Sequence, residues 1–145
     1  MRGRTMVITA LDVQKIVGTR LEGTVVNLNP SKEDISKLCE QYGFDGGIVL
    51  VKKLNEDLRS IVDGGDDFRC RFALVVLGCF YYPRTKNGIS TNLLHFVKNP
   101  FSLGSVNWGR LLLDHLVIGI RKYKVKKNSG HYIAGCVFFL MVSTM

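Results

Sequence analysis

The sequence lacks most of the features that announce a chemistry. Its four cysteines, Cys39, Cys70, Cys79 and Cys136, form no C-x-x-C pair. All sit in apolar or helical surroundings, so they read as reduced core thiols of an intracellular protein. No N-x-S/T acceptor occurs, because Pro30 interrupts Asn29-Pro30-Ser31. No apolar run approaches the ~20 residues that span a bilayer. No G-x-G-x-x-G is present, and no Lys-Ser/Thr follows Gly43, Gly46 and Gly47. Those glycines are expected to stop one helix and start the next, not to cradle a phosphate. Repeats, low-complexity segments and linkers are missing too, which predicts one domain over residues 1–145. Arg2 and Arg4 precede only a short apolar patch, Met6–Ile8, so no secretory leader is expected. A mitochondrial presequence stays open as an alternative, because Arg2, Arg4, Lys15 and Arg20 meet a single early acid, Asp12.

What is present suffices for a core. A chain of 145 residues with 46% hydrophobic content buries roughly two thirds of its unfolded surface and needs no disulfide or metal. The net charge of +8 favours nucleic acid, anionic membrane or acidic proteins without choosing among them.

Apolar periodicity predicts a mainly α domain of about six or seven helices, with at most a minor short β element near the N-terminus. Thr9 caps a helix over Ala10–Val17, with Leu11, Val13, Ile16 and Val17 turned inward and Gly18 as its stop. A short extended piece is expected around Thr24–Val26. Ser31 and Asp34 open a helix over Lys32–Tyr42 that buries Ile35, Leu38, Cys39 and Tyr42, and Gly43 ends it. A third helix is expected over Ile48–Val62, with Leu50, Val51, Leu54, Leu58, Ile61 and Val62 inside. The central element is the apolar run Phe68–Tyr82, capped by Asp66 or Asp67 and stopped by Pro83. It reads as a helix with Phe68, Phe72, Val75, Val76 and Cys79 on its buried face and Arg69 and Arg71 reaching water. A buried strand over Phe72–Leu77 is the alternative; Gly78 either weakens the helix by roughly 1 kcal/mol relative to alanine or marks a close helix crossing. Ser90 is expected to cap a short helix holding Leu93, Leu94, Phe96 and Val97, which Asn99-Pro100 ends. Ser105 caps the longest helix, Val106–Lys124, with a stripe of Trp108, Leu111, Leu112, His115, Leu116, Ile118 or Gly119, and Tyr123. Ile133–Val142 forms one more apolar helix.

Three blocks of residues resemble a known group. The first is Met6 to Gly18 with Gly23, similar to the pattern ITxxDVxxIxG. The second is Phe72 to Gly78 with Pro83, similar to FxLxxLGxxLxP. The third is Asn107 to Leu116, Ile120 to Tyr123 and Gly135 to Leu140, similar to NWxxxxLxxLxxxIxKxK followed by GCLxFL. These patterns resemble the helical region of plant transposon-derived proteins: the plant mobile domain group and the domains upstream of Ulp-type (SUMO-protease-like) peptidases. The resemblance implies an α-helical, non-catalytic module. The longer members continue past the matching point, so a truncated copy is expected to leave Phe138, Phe139 and Met141 partly exposed, a patch suited to self-association or to another protein.

Each candidate chemistry stands beside a plainer role. His95, Asp114 and Cys136 occur in the order of a cysteine peptidase triad. Their neighbours differ from the peptidase pattern, since Phe96 follows the histidine and Gly135 and Val137 flank the cysteine. His95, His115, His131 and the cysteines show no metal-ligand spacing, and neither metal nor cofactor is expected. The acidic pairs Glu33-Asp34, Glu56-Asp57 and Asp66-Asp67 suit capping and solvated faces. The strongest patch is the basic helix end Arg121, Lys122, Lys124, Lys126 and Lys127, suited to phosphates or an acidic surface or else to plain solvation. The expected role is therefore a non-catalytic interaction protein, engaging itself or a partner, in the nucleus or cytoplasm. The alternatives are a nucleic-acid-binding remnant of a transposon and, behind it, a cysteine peptidase.

Overall fold

The computed structural model describes residues 7–25, 29–84, 87–125, 133–136, 139, 141 and 142. Local signals set the first two helices. Thr9 and Asp12 form a reciprocal capping box at the start of α1 (Ala10–Val17), and Gly18 closes it at a left-handed φ of 73°. Ser31 accepts from the Asp34 amide to start α2 (Lys32–Tyr42), and Gly43 ends it at φ 68°. Both helices have the bounds that their caps predict. Their burial is narrower on α1, where Val13 is fully buried while Leu11 and Val17 are exposed.

The third segment departs from expectation. Gly46 and Gly47 both adopt positive φ, 38° and 77°, and redirect the chain. Ile48–Leu50 is then not helical but forms strand β1, paired antiparallel with β2 (Gly88–Ser90). Val49 and Ile89 face each other in the core, and the absent side chain of Gly88 makes room for Ile48. The partner strand lies about forty residues away, so no local pattern reveals it. Helix α3 is therefore shorter, Val51–Ser60. It buries Leu54, whereas Leu50 and Val62 are exposed.

Helix α4 (Asp66–Val76) continues into a π-helical turn over Leu77–Tyr81. Gly65, not an aspartate side chain, occupies its N-cap. The run is helical as expected, but its rotation is not. Cys70, Leu74, Leu77 and Gly78 are buried, while Phe72 is 53% exposed and Cys79 is exposed. Phe68 and Phe72 stack on each other at 6.0 Å on the outer side. The cause is Arg71, which turns inward. Its guanidinium bonds Asp57 at 2.8 Å and Asp67 at 3.0 Å, donates to the Tyr42 carbonyl at 3.2 Å, and lies over the Phe44 and Tyr42 rings. One cation thus ties α2, α3 and α4 together. Gly78 marks a close approach to strand β2 and not a helix crossing: a methyl group there would sit 2.5 Å from Ile89.

A 3-10 turn (Thr91–Leu93), helix α5 (Leu94–Val97) and a second 3-10 stretch (Pro100–Ser105) follow. Ser90 belongs to β2 and does not cap α5. Asn107, not Ser105, starts α6 (Trp108–Val125), accepting from the Arg110 amide at 2.9 Å. The Asn107 side chain also donates to the Leu21 carbonyl, and a parallel bridge pairs Thr24 with Val106. Gly23 (φ 121°) allows this clasp, because a side chain would collide with the Ser105 carbonyl.

Two cores result. The larger joins α2–α5 and the sheet around Leu54, Leu74 and Leu93. The smaller joins Val13, Leu112, Leu116 and Phe139. Tyr81 packs against both. Residues 133–136 lie flush on α6, where Gly119 meets the Ala134 backbone and Gly135 meets Leu116. They are not helical, so the expected helix over Ile133–Val142 does not begin at Ile133. The whole is one compact, mainly α-helical domain.

Replacing Arg71 with alanine leaves Asp57 with only the longer Lys53 pair at 3.7 Å and takes the guanidinium from the Tyr42 carbonyl. Urea unfolding of Arg71→Ala is expected to show a loss of ~2–3 kcal/mol. The same change at Arg110, whose partner Asp114 is as exposed as itself, is expected to cost under ~0.5 kcal/mol.

Candidate interaction surface

The inward turn of Arg71 decides what α4 shows outside. Phe72 stands two residues before Leu74, about 160° round the helix from it. Together with Ala73, Val76, Leu77, Tyr81, Leu103 and Trp108 it lines an apolar groove of ≈ 270 Å³. Trp108 forms one wall and is held by its indole N–H, which donates to the Leu103 carbonyl at 2.7 Å, and by an edge contact with Tyr81. Phe101 (76% exposed) stands beyond Leu103 with the Arg69 guanidinium 5.6 Å from its ring. Phe80 is 63% exposed on the π-helical turn. Large aromatic rings left in water over neighbouring elements are uncommon on a monomer and mark contact surfaces.

The C-terminal patch expected from the sequence is not this groove. Phe139 is fully buried against Val13, Leu112 and Leu116, so it offers no surface. Met141 is exposed, at 63%. Phe138 lies outside the described residues. The groove is hard to find in the sequence because its residues come from three elements. The local signal for it is the pairing of Phe68 and Phe72 at helical spacing, which periodicity alone assigns to the buried side.

The basic helix end is accessible. Arg121, Lys122, Tyr123, Lys124 and Val125 are all exposed. Lys126, Lys127 and His131 lie outside the described residues. Among the described residues no ion pair engages Arg121, Lys122 or Lys124.

The peptidase order does not assemble into a hydrogen-bonded triad. His95 makes an edge contact with Phe96, with its Nδ1 buried and unbonded; Asp114 pairs with Arg110 at 3.0 Å; Cys136 packs beside the Phe139 core. No bond joins the three. Cys70 is inert in another way: it donates to the Val97 carbonyl at 2.7 Å, and burial raises its pKa. Among the described residues no three His, Cys, Asp or Glu side chains gather as a metal site, and no helix is long and apolar enough to cross a membrane.

Fold and surface define a small, mainly α-helical domain with an open apolar groove and an exposed basic helix end. The chain belongs to the family described as Domain of unknown function (DUF8566), whose model matches residues 1–141. No curated protein and no solved structure matches it.

His115 is a buried ionisable group beneath the basic end. Its ring stacks on Tyr82 at 3.6 Å, and its Nδ1 has no hydrogen-bond partner among the described residues. Burial, and after it the charges of Lys122 and Arg84, lowers its pKa to about 4. An unfolded histidine titrates near ~6.5, so the unfolded chain takes up the proton first as pH falls. Stability is therefore complete above ~6.5 and declines as pH falls toward 4, by on the order of 2–3 kcal/mol. Denaturation midpoints measured across this window are expected to flatten in His115→Leu. An unchanged slope would assign the decline to other groups.

Proposed function

We propose that this protein is a non-catalytic, transposon-derived plant module that acts through protein contacts, including contacts with its own copies. The observation that carries the reading is the groove beside Phe72 and Trp108, whose apolar walls are open to solvent. The transposon origin rests on the three sequence blocks. They coincide with packing devices: the Thr9–Asp12 box, the Gly78 approach to Ile89, and the Asn107–Trp108 start of α6. The non-catalytic reading is supported by Asp114 being held by Arg110 and by Cys136 lying against a core. The nucleus or cytoplasm is the proposed compartment, with the mitochondrion as the alternative; four free cysteines, two of them buried, suit a reducing setting.

A second reading, contact with nucleic acid, is favoured by Arg121, Lys122 and Lys124 at the end of α6, which are exposed and in no ion pair among the described residues.

Light scattering at two salt concentrations tests the first reading. The wild-type protein is expected to give a mass above the monomer that persists at high salt, because apolar contact is not screened. Phe72→Glu is expected to return it to monomer with its unfolding midpoint unchanged. A strict monomer at both salts would remove self-association from the proposal.

A further inference from the structure

The groove beside Phe72 and Trp108 is small and uncharged. At ≈ 270 Å³ it falls below the ~300–1,000 Å³ of a pocket for a drug-sized molecule, and it suits one large side chain. A helix laid along a surface needs several such anchor points in a row. No residue lining the groove is charged at neutral pH.

A ring of the right kind stands next to it. Phe101 is 76% exposed, yet the turn that presents it is firmly held. Pro100 starts that turn, and the Asn99 side chain accepts from the Phe101 amide at 3.2 Å. The Ser102 hydroxyl donates to the Asn99 carbonyl at 2.8 Å, and the Ser105 hydroxyl donates to the Ser102 carbonyl at 2.7 Å. Leu103, two residues after Phe101, lines the groove and accepts the Trp108 indole N–H. A ring already fixed in place loses little freedom when it is covered. Phe101 does not line its own groove. It lies beside α4 at Arg69, whose guanidinium is 5.6 Å from its ring. Arg69 precedes Ala73 by about one helical turn, and the groove residues Val76 and Leu77 follow Ala73 by about one turn. Projecting ring and receiving groove thus lie on either side of Ala73 along α4.

We propose that the groove takes Phe101 of a second copy of this chain, in a two-fold dimer that crosses α4 on α4 at Ala73. In a two-fold contact the same two surfaces meet twice, so a knob and a hole set on either side of the axis fill each other in both copies. Ala73 is smaller than Arg69, Phe72 and Val76, which share its face, and it lets the two helices approach. Charge selects the occupant. A chain of net charge +8 repels its own copy except through a face that brings no unbalanced cations together. The groove is uncharged, and Arg69 beside Phe101 is balanced by Asp66 at 3.3 Å. An acidic partner finds no unpaired cation among these residues. The pairing rests on the reading of the groove as a self-association surface, and it adds which residue fills it.

Light scattering and oxidative cross-linking test it. The wild-type protein is expected to have twice the monomer mass. Phe101→Ala is expected to raise the dimer dissociation constant about tenfold or more, with its far-ultraviolet circular dichroism unchanged. Val76→Glu, which sets a charge in the groove, is expected to do the same. With the exposed Cys79 replaced by serine, Ala73→Cys is expected to form a disulfide between copies under mild oxidation, and Lys37→Cys is expected to form none. A dimer that Phe72→Glu dissolves but Phe101→Ala leaves intact, without a cross-link at position 73, would overturn this pairing and leave self-association through the groove standing. A monomeric wild type would remove both and leave the groove to a different protein. An assembly larger than a dimer would overturn the two-fold closure.

Discussion

A single, largely enclosed guanidinium governs how this domain is put together. Arg71 is enclosed to 13% side-chain exposure by Asp57, Asp67, the Tyr42 carbonyl and the faces of two aromatic rings. A charge taken that far out of water is tolerated only where its hydrogen bonds are remade in the protein. Here they are remade by α2, α3 and α4 at once, which fixes the distances among three helices. It also fixes the rotation of α4. Once Arg71 and Leu74 face inward, Phe72 has to face out, and the aromatic groove follows from that geometry.

The second determinant is the close approach at glycine. Gly78 meets Ile89, Gly88 admits Ile48, Gly23 meets the Ser105 carbonyl, and Gly119 and Gly135 press residues 133–136 onto α6. These contacts join segments far apart in sequence. They draw the π-helical turn toward β2 and leave Tyr81 and Tyr82 beside α6, where one contacts Trp108 and the other His115. The apolar groove and the middle of α6 therefore share one structural support, the chain from Leu77 to Tyr82.

The mainly α class, the bounds of α1 and α2, and the accessibility of Arg121, Lys122 and Lys124 at the end of α6 were legible from residue order. So was the buried stripe of α6 at Leu111, Leu112, His115, Leu116 and Gly119, whereas Trp108 is half-buried and Ile118 and Tyr123 are exposed. Three features were not. Ile48–Leu50 became a strand through a distant partner, Phe139 was covered by α1 and α6, and α4 was rotated by a cation placed among apolar residues. Periodicity assigns apolar residues to the inside, and it fails where a half-buried ionic cluster outweighs the transfer of one phenylalanine, about 2 kcal/mol.

The sequence by itself determined where α1 and α2 begin and end, because a side-chain cap bonds an amide three residues on and a closing glycine bonds carbonyls three or four residues back. Thr9, Ser31, Gly18 and Gly43 act within that range. Only the tertiary structure decided which faces meet water. That choice depends on partners brought from elsewhere in the chain: Asp57 for Arg71, Ile89 for Gly78, Tyr82 for His115. The free energy of those pairings exists only after the loops between them have closed.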